Sequence, residues 1–520
     1  MVFYCWLSEK AIAQIVPDNT LPNGSTVTSE GNTFRIQDGT QAGSNLFHSF
    51  RQFDIPAEAI ASFQNTPEIT NIFTRITGDT ASHIRGTLQT NGTANFFLIN
   101  PNGILFGPNA KLNVGGSFFA TTANSIAFAD GREFSASNPQ TQPLLTVSVP
   151  IGLQVGQTPG TIINQSQTTR QQTSPDGSAS RSVPVGLQIL PGRTLGLVGG
   201  NVRLQNGSLT AAGNPQIPGG RIEIGSVAGP GLVRLQPTST GIALDYQQAN
   251  SLGNIQFSNG AIANVSGAGG GTIRLRGRNI SLEQESQLIA DTLGNLAAGG
   301  VEIQAERVTL SGGSFVSAST IPQTAGSAGD ISVVATDAIA LLGSMQNNLS
   351  GFKSETFGAG NAGDISLSAS QLTIQDGAQI SVSSLGTGDG GTISIDASNA
   401  VTLKGTNLNG IPATIVAATE GAGMGGNIEI STETLAITDG AAIETVNIGK
   451  TGDRAAGNIQ INADSSVTVA GSLPPIETPS GPRQRISRIS AQTRGNGAGG
   501  DITITTPRFA VVDGAAVETD

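Results

Sequence analysis

The chain is poor in the residues that build most chemical sites. Its 520 residues include one Cys, one Trp, two Tyr, two His and three Met. A disulfide framework needs paired cysteines, and Cys5 has no partner. A zinc or haem centre built from Cys and His has almost nothing to draw on. Charge is scarce too: Asp, Glu, Lys and Arg make up 12% of the chain, about half the usual quarter. That excludes a highly charged disordered chain. The formal charge is −11, so the basic footprint of a nucleic-acid binder is missing and an anionic membrane offers little attraction. No apolar run reaches the roughly 18 residues a membrane-spanning helix needs. What is plentiful is glycine, 70 residues, roughly twice the ordinary share. Short Val-, Ile-, Thr- and Ser-rich runs between glycines read as an all-β chain.

The ends differ from the body. Residues 1–13 read as the remnant of a secretory signal peptide. Ala11-Ile12-Ala13 fits the small-x-small cleavage rule and leaves Gln14 first, although a basic leading region is missing. Cys5 would depart with that segment. At the other end Val511-Val512-Asp513-Gly514-Ala515-Ala516 stops inside a motif that earlier copies continue, so more of the same architecture is expected to follow.

Composition also shifts along the chain. Fourteen of the 19 Phe lie between Phe3 and Phe134, and both histidines, His48 and His83, are there as well. This predicts an N-terminal unit with a bulkier core. Two polar stretches look like excursions from a regular body. One runs from Gln165 to Ser182; the other, Ser472 to Arg494, carries Pro474, Pro475, Pro479 and Pro482 ahead of four arginines. Proline cannot donate to a ladder, so the second is expected to leave any sheet.

From about residue 219 a pattern recurs: a small residue, Gly, a polar residue, then alternating aliphatics. Gly270-Gly271-Thr272-Ile273, Ala362-Gly363-Asp364-Ile365 and Gly425-Gly426-Asn427-Ile428 are three copies. Successive copies from Thr272 to Asp501 lie 29, 29, 34, 28, 35, 31 and 43 residues apart. Within a unit three short β runs follow one another, as in Ile365–Ser368, Leu372–Gln375 and Gln379–Val382. An Asp-Gly-Ala turn sits between the second and third, and it recurs at Asp439 and Asp513. Asp-Gly accepts positive φ without strain. A period near 30 with Gly corners marks a solenoid, and the small interior residues suit a right-handed parallel β-helix (a β-solenoid) in which each coil stacks on the last. Whether one unit makes one coil is left open by the spacing. A sandwich or propeller is the competing fold, but propeller blades usually carry aromatic markers.

The most informative segment is Ala94 to Ala123. A wholly apolar run, Phe96 to Ile99, leads into Asn100-Pro101-Asn102-Gly103-Ile104. Pro101 presets φ, Asn102 and Gly103 tolerate positive φ, and Asn100 can bond back to following amides. Upstream stands Asn45-Leu46-Phe47-His48-Ser49-Phe50.

These two strings resemble the N-terminal secretion domain of the filamentous haemagglutinin family of two-partner secretion exoproteins, in the version common in cyanobacterial-type members. The resemblance covers residues 14–228 and is architectural beyond. It implies a secretion and haemagglutination-activity domain over 14–150 and a continuing β-helix over 151–228 with the insertion 165–182. A repetitive β-helix follows over 229–520. It further implies passage to the periplasm, recognition of the N-terminal domain by the periplasmic domains of an outer-membrane β-barrel transporter, and release at the cell surface. The expected function is that of a secreted, non-enzymatic adhesin, with surface glycans of host or neighbouring cells as ligands. The alternative is a β-helical polysaccharide lyase or hydrolase, which needs carboxylates and a base converging on one face. No catalytic residue, metal ligand or cofactor is assigned. The Asn100–Ile104 turn is expected to be a recognition surface, a structural corner, or both. His48 and His83 read as packing residues. Asp330, Asp364 and Asp501 read as turn caps rather than calcium ligands, and the arginines from Arg483 to Arg494 as a solvated loop.

Overall fold

The computed structural model describes residues 15–139, 146–173, 180–239, 241–346, 348–449, 455–478, 481–494 and 497–519. The signal-like residues 1–13 and parts of both polar excursions lie outside them. The described chain is all-β and folds as a parallel β-helix.

Each repeat forms one coil. The aliphatic that follows each corner residue stacks in a single column, Ile273–Val301–Ile331–Ile365–Ile393–Ile428–Ile459–Ile502, every step a parallel pairing; in the second of these coils Gly300, not Val301, takes the corner position, opposite Thr272 and Asp330. The varying spacing is absorbed in the loops, so the register does not slip. A slip of one residue would turn each inward aliphatic out to solvent.

Every coil lays down three strips. The first and second belong to a 23-stranded sheet and the third to an 11-stranded one, with a 5-stranded sheet opening the third strip at the N-terminus. From Gly300–Ser311 to Ile459–Ala470 the first two strips share one long strand, bent by a register irregularity, as between Ala369 and Gln371. The Asp-Gly-Ala turn then leads to the third strip. Asp376, Asp439 and Asp513 have φ of 53°, 55° and 54°, each followed by a Gly of positive φ. Ala378 and Ala441 are buried just after it.

The return from the third strip to the first carries the repeat's glycine. Gly329, Gly363, Gly391, Gly426, Gly457 and Gly500 stack in line, and a Cβ on Gly391 would lie 2.1 Å from the Gly363 carbonyl oxygen. Coils in contact through backbone leave no room for a side chain. One core runs inside the solenoid from Ile15 to Ala491.

The N-terminal coils differ by burying both faces. Phe50, Phe96 and Phe118 point inward. Phe47, Phe73, Phe97 and Phe119 point outward as a stacked ladder with centroid spacings of 5.2, 5.0 and 5.1 Å. A 5-stranded antiparallel sheet covers that ladder. It is built from Glu133–Ser135, Ser125–Phe128, Pro150–Val155, Gly231–Thr238 and Gly241–Ala249. A second core forms between the layers, with Ile126, Phe128, Leu153 and Val233 on the outer side. The concentration of phenylalanine is therefore not a separate unit but the same solenoid clad on its outer face. Each buried Phe contributes roughly 1.5–3 kcal/mol, and each stacked pair about 0.5–1.5 kcal/mol more.

The N-terminal end is closed by antiparallel strands: Ile15–Pro17 and Thr40–Ala42 against Asn45–Phe53, and Ser25–Glu30 against Thr33–Asp38. Both polar excursions are hairpins standing off the solenoid, Thr169–Thr173 with Ser180–Pro184 and Ser472–Thr478 with Gly481–Ile486. The second keeps its own ladder, interrupted between Leu473 and Ile476 where two prolines fall. It ends sooner than its composition suggests: Arg488–Thr493 returns to the third strip, and Arg488 pairs with Glu444.

Candidate functional site

The Asn100–Ile104 segment is the corner joining Asn95–Ile99 to Ile104–Phe106. The Gly103 N–H donates to the Asn100 carbonyl (3.1 Å), closing a turn. The Asn102 N–H donates to Asn100 Oδ1 (3.0 Å). Asn100 Nδ2 donates to the Thr80 carbonyl and to Ser82 Oγ of the preceding coil, both at 3.0 Å. Asn100 is wholly buried and its amide is fully used. Gly103 has φ 126°, and a Cβ there would stand 3.0 Å from the Thr161 carbonyl oxygen of the next coil. Ile104 enters the inner core. Asn102 does not take positive φ; its Nδ2 donates to the Gly78 carbonyl (2.7 Å) instead. What the corner offers a partner is therefore half-exposed Pro101 and exposed Asn102.

All six residues of Asn45-Leu46-Phe47-His48-Ser49-Phe50 are buried. Asn45 begins a ladder: Asn71 Nδ2 donates to Asn45 Oδ1 (3.0 Å), and Asn95 Nδ2 to Asn71 Oδ1 (3.1 Å). Asn45 Nδ2 also holds the carbonyls of Thr146 and Ser148, which lead into the outer sheet. His48 Nδ1 bonds Ser25 Oγ (2.9 Å), and its ring meets Phe63 edge-on. Burial pulls its pKa down to about 3 against a weak opposing pull from Asp38, so it is neutral at pH 7. His83 keeps a separate partner, Asp54 (3.1 Å).

Ser49 leads to two residues that the motifs did not reveal. Arg75 is wholly buried. Its Nε donates to Ser49 Oγ (2.9 Å), Nη1 to the Ser135 carbonyl (2.6 Å) and Nη2 to Thr20 Oγ1 (2.9 Å), and it lies over the Phe134 ring. Burial lowers its pKa to about 10, and Asp18 opposes the loss of charge. Burial pushes the Asp18 carboxyl up. Hydrogen bonds from Thr20, Thr77 and Ser49 outweigh it and hold the group below its ordinary range. This network locks the N-terminal cap, the first coils and the outer sheet together. A lone Arg in the apolar run Asn71–Ile76 was the sequence signal for it.

At the corner column, the Asp364 N–H donates to Asp330 Oδ1 (2.9 Å) and the Thr392 N–H to Asp364 Oδ1 (2.7 Å). The Asp501 N–H donates to Asn458 Oδ1 (2.9 Å). These side chains cap backbone between coils, which explains why Asn stands in for Asp in the column. Among the described residues, no group of three or more His, Cys, Asp or Glu is placed to hold a metal ion.

The structure also gathers a polar cleft of about 350 Å³ where the outer sheet ends over the solenoid. Tyr246, Arg274, Arg276, Glu223 and Glu302 meet there. Arg274 is held by Glu302 (2.5 Å), and Glu223 by Arg221 (2.9 Å). Burial drives Glu223 up to about 7 against the pull of Arg221. No single coil looked rich in such groups, because four separate strands contribute them.

The described chain is thus a capped, outer-clad parallel β-helix with both motifs built into its first coils. The family model for the TPS secretion domain matches residues 13–275, and the chain belongs to that family. It carries the secretion domain of two-partner secretion exoproteins over its N-terminal half. It is 35% identical over 109 residues to the heme/hemopexin-binding protein of Haemophilus influenzae, a match spanning 20% of this chain and 11% of that one. Among solved structures it is similar to the HMW1 secretion domain from Haemophilus influenzae, with TM-score 0.42 and 16% identity over 94% of this chain and 98% of that one. It is also similar to the filamentous hemagglutinin secretion domain, with TM-score 0.33 and 18% identity over 63% and 99%.

Proposed function

We propose that the chain is a non-enzymatic, surface-associated adhesin whose N-terminal region, residues 14–150 with its continuation to 228, is read by the periplasmic domains of the transporter. The observation that carries this reading is the division of labour in the Asn100–Ile104 corner. Asn100, Gly103 and Ile104 build the turn, while Pro101 and Asn102 face outward. In Asn45–Phe50 every side chain is buried, so that string serves folding. The solenoid suits passage through a pore, since each coil needs only its neighbour to fold against. The body, residues 229–520, is a long scaffold for binding glycans on other cells.

Export of the full chain with its transporter tests the reading. Replacing Pro101 and Asn102 together by Ala should leave the purified protein folded and trap it in the periplasm. Normal export of that variant would remove the recognition role of the corner.

A further inference from the structure

We infer that the cleft between the Gly241–Ala249 strand and the neighbouring rungs of the solenoid is a binding subsite for a hexuronate unit of an acidic glycan. This rests on the adhesin reading for its biological use, but not for its chemistry.

The lining decides the class of ligand. Small-molecule pockets are usually apolar with a few placed polar groups. Here the balance is reversed, with amides, carboxylates and guanidinia around little more than Leu244, Leu275 and the Tyr246 ring. An apolar ligand would strand those groups, whereas a ring bearing several hydroxyls satisfies planar acceptors and donors together.

Charge narrows the class. Arg274 is neutralised by Glu302, but Arg276 bonds the neutral Gln304 Oε1 (2.9 Å). One guanidinium thus faces the cleft without a carboxylate, and it matches one carboxylate on the ligand by its fork geometry. A multiply charged phosphate would leave charge facing Glu223, Asp245 and Glu302, whereas the single carboxylate of a uronate can be matched by Arg276 alone. The Tyr246 hydroxyl supplies an independent sign. It is fully buried, has no hydrogen-bond partner among the described residues, and sits where a Cβ on Gly225 would touch it. A buried hydroxyl without a partner is costly, and a small shift of the ring on binding would bring it to a ligand oxygen.

Titrating the purified full chain with methyl glucuronide and methyl galacturonide, against the neutral methyl glucoside and methyl galactoside, tests the assignment by calorimetry or saturation-transfer NMR. The uronates should bind saturably, and the neutral sugars about tenfold more weakly or worse. Arg276→Gln should bring the uronates down to the neutral level, and Tyr246→Phe should weaken all four. Arg203→Gln, an exposed arginine outside the cleft, should change nothing. Thermal melts of all three variants check the fold. No saturable uronate binding, equal binding of both classes, or full affinity in a folded Arg276→Gln variant overturns the subsite. Each of these outcomes leaves the export test of the N-terminal region, and the reading it supports, untouched.

Discussion

At the scale of single residues, the two asparagines of the corner have opposite fates. Asn100 makes its bonds in full burial, so Asn100→Ala strands the Thr80 carbonyl and Ser82 Oγ and frees the Asn102 N–H. The expected cost is about 2 kcal/mol, read as a lower melting temperature. Asn102→Ala removes an exposed side chain with one good bond and should cost at most about 1 kcal/mol. A variant pair with equal melts would show that burial does not separate them. Sequence alone marked the turn, because Pro, Asn and Gly encode it locally. It could not rank the asparagines, since what distinguishes them is a preceding coil about 20 residues away. Asp18 and Arg75 were hidden for the same reason: their network closes across contacts separated by 55 to 60 residues.

At the scale of elements, glycine plays two roles, and substitution should tell them apart. Gly391 lies in the stacked column, where a methyl group would press on the Gly363 carbonyl. Gly391→Ala must push two coils apart and should cost about 3 kcal/mol. Gly92 has φ 66° with open space around it, so Gly92→Ala meets only backbone strain of about 1 kcal/mol. Chemical denaturation of both variants checks the order, and a Gly391→Ala variant as stable as Gly92→Ala would contradict the backbone contact. The coil repeat was legible because corner chemistry recurs at a nearly fixed interval. The outer sheet was not, because its strands come from Ser125–Phe128 and from Gly231–Thr238, about a hundred residues on, with no periodic mark. One sign was present. Adjacent pairs such as Phe96-Phe97 and Phe118-Phe119 put an aromatic on both faces of a strand, and that demands cover on both sides.

At the scale of the whole molecule, titration acts in opposite directions at two places. His48 has its pKa near 3 in the folded chain against an ordinary value of 6.5. Between those values the unfolded chain binds more protons, so this group's stabilisation is complete above 6.5 and is lost as pH falls toward 3. Asp18, held low by its hydrogen bonds, works in the same sense. Both stand in the N-terminal cap. Glu223 is raised from 4.5 to about 7, so its stabilisation is complete below 4.5 and is lost as pH rises through 7. It stands under the end of the outer sheet. Because a solenoid's stability is close to a sum of local terms, acid should loosen the cap while tightening the cleft region. Hydrogen exchange at pH 7.5 and pH 5, corrected for intrinsic rates, should show Ser25–Asp38 and Asn45–Phe53 losing protection on acidification as Arg221–Ser226 gains it. His48→Gln keeps a polar group beside Ser25 but cannot titrate. It should lower protection of the cap at pH 7.5 and flatten its pH dependence, by up to about 1.4 kcal/mol for each pH unit in the steep range. A cap equally acid-sensitive with glutamine at position 48 would remove His48 as the cause, since Asp18, held below its ordinary 3.8, stays ionised throughout that window.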